Sequence, residues 1–238
     1  MNKIEAIDER KSRRLYLTVP IEASLISILQ DQIRKFNLES GLSIQFIEDG
    51  SKAFSSFRKT YGLFSGVKSL IALVGPKSDP NLKEKAGYYG EMLILEATIL
   101  GLGTCWVGGT FDTQSDILKL TDQEALICVI PVGYVEAMSF KEKMVHQMVA
   151  GKSKSIEQLL NSDSKLPDLF NDGLKAVQKA PSAANRQPVR FEYGKGVLTA
   201  LTEDDGKFNL VDLGIVKAHF EVATGCRFEL GNPSILVP

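Results

Sequence analysis

Apolar residues recur with a helical period at Ile21, Leu25, Ile28, Leu29, Ile33 and Phe36, which predicts an amphipathic helix with one buried stripe. The run Ser43 to Phe46 then alternates as a strand does, and Ser69 to Gly75 (SLIALVG) is a β-rich apolar run ended by glycine and proline, as suits a buried strand. From Gly87 to Leu100 apolar residues face nearly every direction, and Gly101 and Gly103 supply helix-stop chemistry. That pattern predicts a central helix with packing partners all round it. Thr121 and Glu124 have the spacing of a capping box, and Leu126 to Tyr134 (LICVIPVGY) reads as another buried strand, interrupted at Pro131.

Around residues 150–166 the composition turns to Gly, Lys, Ser, Asn and Asp, the character of a connector. Beyond it the pattern predicts a helix from Asp168 to Lys179, strands from Val189 to Tyr193 and Val197 to Thr202, and a helix from Leu210 to Thr224 stopped by Gly225. The order of elements repeats that of the first half. At the ends of the second helices GLGTCWVGG (101–109) stands against ATGCRFELG (223–231), a sign of internal duplication. The expectation is an α+β fold of two related α/β halves: residues 1–150, a connector at 151–166, and a shorter second half at 167–238.

The composition narrows the function. The 238 residues are 44% hydrophobic and 24% charged, with a net charge of -1 and a pI near 6.2, so no overall field recommends nucleic acid or an anionic membrane as a partner. The longest apolar runs fall well short of the ~20 residues of a membrane span, and the charged N-terminus has no signal-peptide core, so a cytoplasmic protein is expected. Cys105, Cys128 and Cys226 form no C-x-x-C pair and have only His146 and His219 as nitrogen companions, which predicts reduced thiols and no metal site. Neither histidine lies in a motif, so each reads as an ordinary surface or core residue.

Four clusters can carry chemistry. Arg10-Lys11-Ser12-Arg13-Arg14 alone reads as a solvated basic stretch, yet guanidinium forks around a hydroxyl are also what a phosphate monoester needs. Lys152-Ser153-Lys154 alone reads as a polar linker. In Cys105-Trp106-Val107-Gly108-Gly109, the glycines read as a turn, or as a place where backbone N–H groups approach a flat ligand with no Cβ between. Ala180-Pro181-Ser182-Ala183-Ala184-Asn185-Arg186-Gln187-Pro188 joins small residues, against which a ring can lie, to Asn185 and Gln187, which match the mixed edge of a heterocycle.

Together the four clusters, with Val132-Gly133-Tyr134, resemble the nitroreductase family of flavoproteins, in particular the subgroup of nitroreductases in which one chain carries both halves. The resemblance covers nearly the whole chain, and its most specific motif is Ala-Pro-Ser-x-x-Asn-x-Gln-Pro. It implies FMN, with Arg10, Lys11, Ser12 and Arg14 on the phosphate and Lys152 and Lys154 closing the cage. It further implies Pro181, Ser182, Ala183, Asn185 and Gln187 at the ring and ribityl chain, Trp106 and Val107 nearby, and the backbone of Gly108 and Gly109 facing the redox centre. After the first helix the chain departs from the family, having only Asn37 to Ser43 where the Pro-Ser-x-x-Asn loop is usual. The implied arrangement is an intramolecular pseudo-dimer with one flavin site, monomeric or weakly homo-oligomeric. The implied activity passes electrons from NADH or NADPH to a small nitroaromatic or quinone-like acceptor by a ping-pong mechanism with no catalytic side chain. The alternative is a flavin-binding member without turnover.

Overall fold

The computed structural model describes residues 1–138, 142–144, 153–203 and 206–237; His146 and Lys152 lie outside them. The first half opens with α1 (Lys3–Glu9), where Asn2 and Glu5 form a reciprocal capping box. Helix α2 (Ala23–Ser40) buries Leu29, Ile33 and Phe36 of the predicted stripe but leaves Ile28 38% exposed. Its four-stranded antiparallel sheet runs in the order β1 (Gln45–Ile47), β2 (Ser69–Pro76), β4 (Glu124–Gly133), β3 (Gly103–Thr104). Two single turns, α3 (Ser51–Phe54) and α4 (Phe57–Thr60), fill the connection from β1 to β2.

Two local elements differ from what the sequence predicts. Thr121 does donate to Glu124, from N–H at 3.1 Å and from Oγ at 3.0 Å, but Glu124 opens β4, so the motif closes a turn into a strand and caps no helix. Nor does Pro131 interrupt β4, since it stays in register with Leu70. On its other side β3 pairs with Val132 and Gly133, and the next bridge joins Val107 to Val129. Pro131 falls in the gap between, where no N–H is required of it. Cys105 and Trp106 occupy the same gap on the facing segment, and this irregularity borders the site described below.

The central helix α5 (Leu82–Ile99) starts earlier than its apolar pattern, and its first turn holds Glu84, which is only 3% exposed and accepts from Lys217 Nζ at 2.6 Å. In the second half, the stretch read as connector contributes α6 (Ile156–Leu159) and β5 (Leu160–Ser162), and Leu159 is buried in the second core. Strand β5 lies parallel to β6 (Arg190–Gly194), and the sheet continues through β7 (Val197–Leu201) and β9 (Ser234–Val237) to β8 (Arg227–Phe228). Helices α7 (Asp168–Val177) and α8 (Asn209–Thr224) cover it, with Phe191, Phe220 and Phe228 packed at the centre.

Helices α5 and α8 join the halves through a reciprocal contact. A Cβ on Gly87 would lie 2.0 Å from the Val211 carbonyl oxygen, and one on Gly214 would lie 2.0 Å from that of Glu84. One offset in sequence carries Gly87 onto Gly214 and Glu84 onto Val211, the geometry of a local twofold axis. Because the obstacles are backbone atoms that side-chain rotation cannot move, Gly87→Ala or Gly214→Ala is expected to cost about 3 kcal/mol, at the upper end of overpacking penalties. Equilibrium denaturation reads this directly, and an unchanged midpoint would refute the close approach. Trp106, Ile127 and Phe208 pack against the cores of both halves.

Candidate functional site

The segment after α1 lies extended along the short strand β3: Ser12 bridges Thr104, and Arg13 N–H donates to the Thr104 carbonyl at 2.8 Å. In extended backbone alternate residues face opposite ways. Arg13 accordingly turns inward, donating from Nη2 to the Glu136 carbonyl at 2.7 Å and pairing with Glu142 at 3.3 Å. Ser12 and Arg14 face the other way, into a cavity of about 270 Å³. Glu142 also accepts from the backbone N–H groups of Arg14 and Leu15, both at 3.2 Å, which pins the segment.

The cavity is shared by the two halves. The first contributes Ser12, Arg14, the run from Cys105 to Thr110, and Cys128; the second contributes Pro181 to Ala184 together with Phe208, Val211, Asp212 and Ile215 of α8 and its approach. The two segments singled out in the sequence, far apart in the chain, thus border one space. Gly108 has a packing reason as well, since a Cβ there would meet the Phe208 ring at 2.2 Å. At Gly109 a Cβ would meet nothing within 4 Å, so that backbone faces open space.

The proline-serine loop is held in a strained form. Ala184, Asn185 and Gln187 have φ of 51°, 54° and 49°, left-handed values uncommon for residues with a Cβ and costing about 1 kcal/mol or more each. Its supports are local: Gln187 N–H donates to Ser182 Oγ at 2.9 Å, and Gln187 Nε2 to Asn185 Oδ1 at 3.1 Å. Lys154 braces it from behind, with its backbone N–H on Gln187 Oε1 and its Nζ on the Gln187 carbonyl, both at 2.7 Å. Burial, followed by the charge of Arg190, lowers the pKa of Lys154. Asn185, Gln187 and Lys154 therefore shape the loop without themselves lining the cavity, while Pro181, Ser182 and Ala183 line it.

Arg10 and Lys11 also lie outside the lining and border a neighbouring cleft. Arg10 Nε stands 3.6 Å from Oε1 of the fully buried Glu91, and is itself buried without a hydrogen bond. Glu91 joins the halves: Trp106 Nε1 donates to Oε2 at 2.7 Å, and His219 Nε2 lies 2.9 Å from Oε1. His219 is the core histidine of the two sequence alternatives, fully buried, with Nδ1 at 3.0 Å from the Ala176 carbonyl. Both ring nitrogens face acceptors, so the His219–Glu91 pair holds a proton between its members. Burial alone would raise the Glu91 carboxyl, but the His219 bond, the charges of His219 and Arg10, and the Trp106 N–H outweigh it and hold its pKa below the usual value.

Burial disfavours the thiolate at both cysteines of the cavity. Burial pushes the Cys128 thiol up to about 12, and raises Cys105 against the opposing influence of Arg14, Ser12 and Arg10. All three cysteines are free thiols. Among the described residues there is no cluster able to hold a metal ion, and no helix is long and apolar enough to cross a membrane.

Glu91 and Asp212 carry no motif signal in the sequence, and His219 reads there only as an ordinary surface or core histidine, with no partner indicated. Single polar residues inside apolar helices carry no motif, and only the clash between polarity and an all-round apolar pattern marks Glu91 and His219 as buried partners.

Fold and site together define a two-half α+β protein with a cavity built jointly by a basic, hydroxyl-bearing segment and a strained loop of small residues. Residues 2–224 match the family model described as "Putative TM nitroreductase", and the chain belongs to that family of oxidoreductases. A "putative nitroreductase" of Thermotoga maritima superposes with a TM-score of 0.67 at 22% identity, covering 99% of this chain and 92% of its own. An "FMN-dependent Nitroreductase" of Clostridium difficile aligns over 57% of this chain and 89% of its own, with a TM-score of 0.47 and 19% identity. Among curated proteins nothing matches the chain.

Proposed function

We propose that this protein is an FMN-dependent oxidoreductase that takes electrons from NADH or NADPH and passes them, in a ping-pong cycle, to a nitroaromatic, quinone or similar small acceptor. The observation that carries this reading is the single cavity bordered by Ser12 and Arg14 on one side and Pro181 to Ala184 on the other. Family membership supports oxidoreductase chemistry.

The residues present fit the cofactor. Ser12 and Arg14 offer a hydroxyl and a guanidinium to the phosphate, a charge-assisted pair of donors that replaces its hydration. Arg10 and Lys11 reinforce that end from the adjoining cleft, and Lys152 is assigned to the same phosphate. Pro181, Ser182 and Ala183 border the ring and ribityl chain, with Asn185, Gln187 and Lys154 fixing their backbone. Trp106 and Val107 wall the opposite side, and the open backbone at Gly109 leaves room for a flat group to approach. When bound, the flavin supplies the electron-transfer chemistry. The chain positions it, excludes water with Trp106, Phe208 and Ile215, and completes the site without a second subunit.

The asymmetry across the local twofold supports a single site. The other side of that axis holds a cavity of about 700 Å³ bordered by Tyr88, Arg227 and Leu230. The sequence match of 101–109 with 223–231, which is out of step with the Gly87–Gly214 register, puts Leu230 against Gly108 and Arg227 against Cys105. One flavin per chain is therefore proposed.

Freshly purified protein is expected to be yellow, to bleach anaerobically with NADH or NADPH, and to regain colour with a quinone. Retained FMN that never bleaches with either donor would leave a flavin binder and end the enzyme reading. A colourless protein whose melting temperature ignores added FMN would end the flavin reading altogether.

A further inference from the structure

Asp212 lies in the first turn of α8, only 3% exposed, and its carboxylate belongs to the cavity wall. Among the described residues both of its oxygens share one donor, the Ala183 N–H, at 3.1 and 3.2 Å. Buried carboxylates ordinarily gather several donors or a cation. Among the described residues, the charged and titratable groups around it are Arg186 on the strained loop, Arg14 and the Cys105 thiol across the cavity, Lys207 before α8, and the Cys128 thiol on β4. Among the described residues none of these cations forms an ion pair with it, and Lys207 instead lies 5.0 Å over the Phe208 ring.

We propose that Asp212 is the proton-holding wall of the cofactor cavity: as a neutral acid it admits the flavin ring and offers it a hydrogen-bond donor, and as a carboxylate it weakens binding. This inference rests on the flavin reading above. The environment supports it, because burial pushes the carboxyl up to about 7 even though the Ala183 N–H and Arg186 draw it down. Asp212 is thus neutral on the acid side of that value and charged on the alkaline side. A ring ligand is therefore held more weakly as pH rises through it.

Riboflavin is the appropriate probe, since FMN carries a phosphate that itself titrates near pH 6 and gains charge as pH rises, in the opposite sense. Between pH 6 and pH 8 the neutral fraction of Asp212 falls from about nine-tenths to about one-tenth, so riboflavin affinity is expected to fall about ten-fold. In Asp212→Asn the affinity is expected to stay flat at the value the native protein has at low pH. Infrared difference spectra of the flavin-free protein supply a second readout: a protonated-carboxyl band lost near pH 7 and missing from Asp212→Asn. A flat profile in the native protein, the same slope in the asparagine variant, or no titrating carboxyl band overturns the proposal. If neither FMN nor riboflavin binds at any pH while the band still titrates, the flavin reading itself has failed and this inference falls with it.

Discussion

Arg14→Ala is expected to weaken FMN binding by about 2 kcal/mol, roughly 30-fold, while changing riboflavin affinity no more than a few-fold. The asymmetry follows from the alternation of the extended segment. Arg14 and Ser12 face the cavity, so the guanidinium meets only what lies in it; it is half-buried, which sets the effect at the low end for a truncated ion partner. Ser12→Ala removes one neutral donor and is expected to cost about 1 kcal/mol more. Arg13→Ala provides the contrast, because Arg13 is buried against Glu142 and the Glu136 carbonyl. Its loss strands the Glu142 carboxylate and lowers the melting temperature before it touches flavin affinity. Titration of each apoprotein with FMN and with riboflavin, followed by flavin fluorescence, separates these cases. Equal loss of both ligands in Arg14→Ala would show that Arg14 supports the fold or the ring and not the phosphate.

How much of this was legible in the sequence depends on the range of the interactions involved. The helices around Phe36, Leu95 and Phe220 were readable because their apolar positions report burial directly. The glycine run and the proline-serine loop were readable as candidates because their residue types are unusual in combination. That Arg14 enters the cavity while Arg13 leaves it was not readable, since both are arginines and only the bridge of Ser12 to Thr104 sets the phase of the segment. Lys154 likewise reads as a phosphate cation, and its actual bonds to Gln187 depend on the fold that brings the residues together. Nor does the sequence mark Glu84 and Lys217 as a buried pair, because each burial is made tolerable only by the other, across the helix pair.

Glu91 is the extreme case of that dependence. Glu91→Leu is expected to destabilise the protein by about 3–5 kcal/mol, a fall of roughly 10 °C in melting temperature, because His219, Trp106 and Arg10 all lose the same partner in a dry interior. Glu91→Gln tests whether charge or hydrogen bonding dominates. Its amide oxygen can accept from Trp106 and its amide N–H can donate to a singly protonated His219, so most bonds survive and only about 1–2 kcal/mol should be lost. The pH dependence then has a definite sign. A carboxyl whose folded pKa is depressed contributes stability above its unfolded value, about 4.3, and loses it as pH falls through the lower folded value. The gap between the native protein and Glu91→Gln should therefore be full at pH 7 and close progressively below about pH 4. Denaturant unfolding at several pH values measures it. A gap that persists unchanged in acid, or a glutamine variant as unstable as the leucine one, would mean that Glu91 is not the charged hub joining α1, α5 and α8 at the back of the cavity.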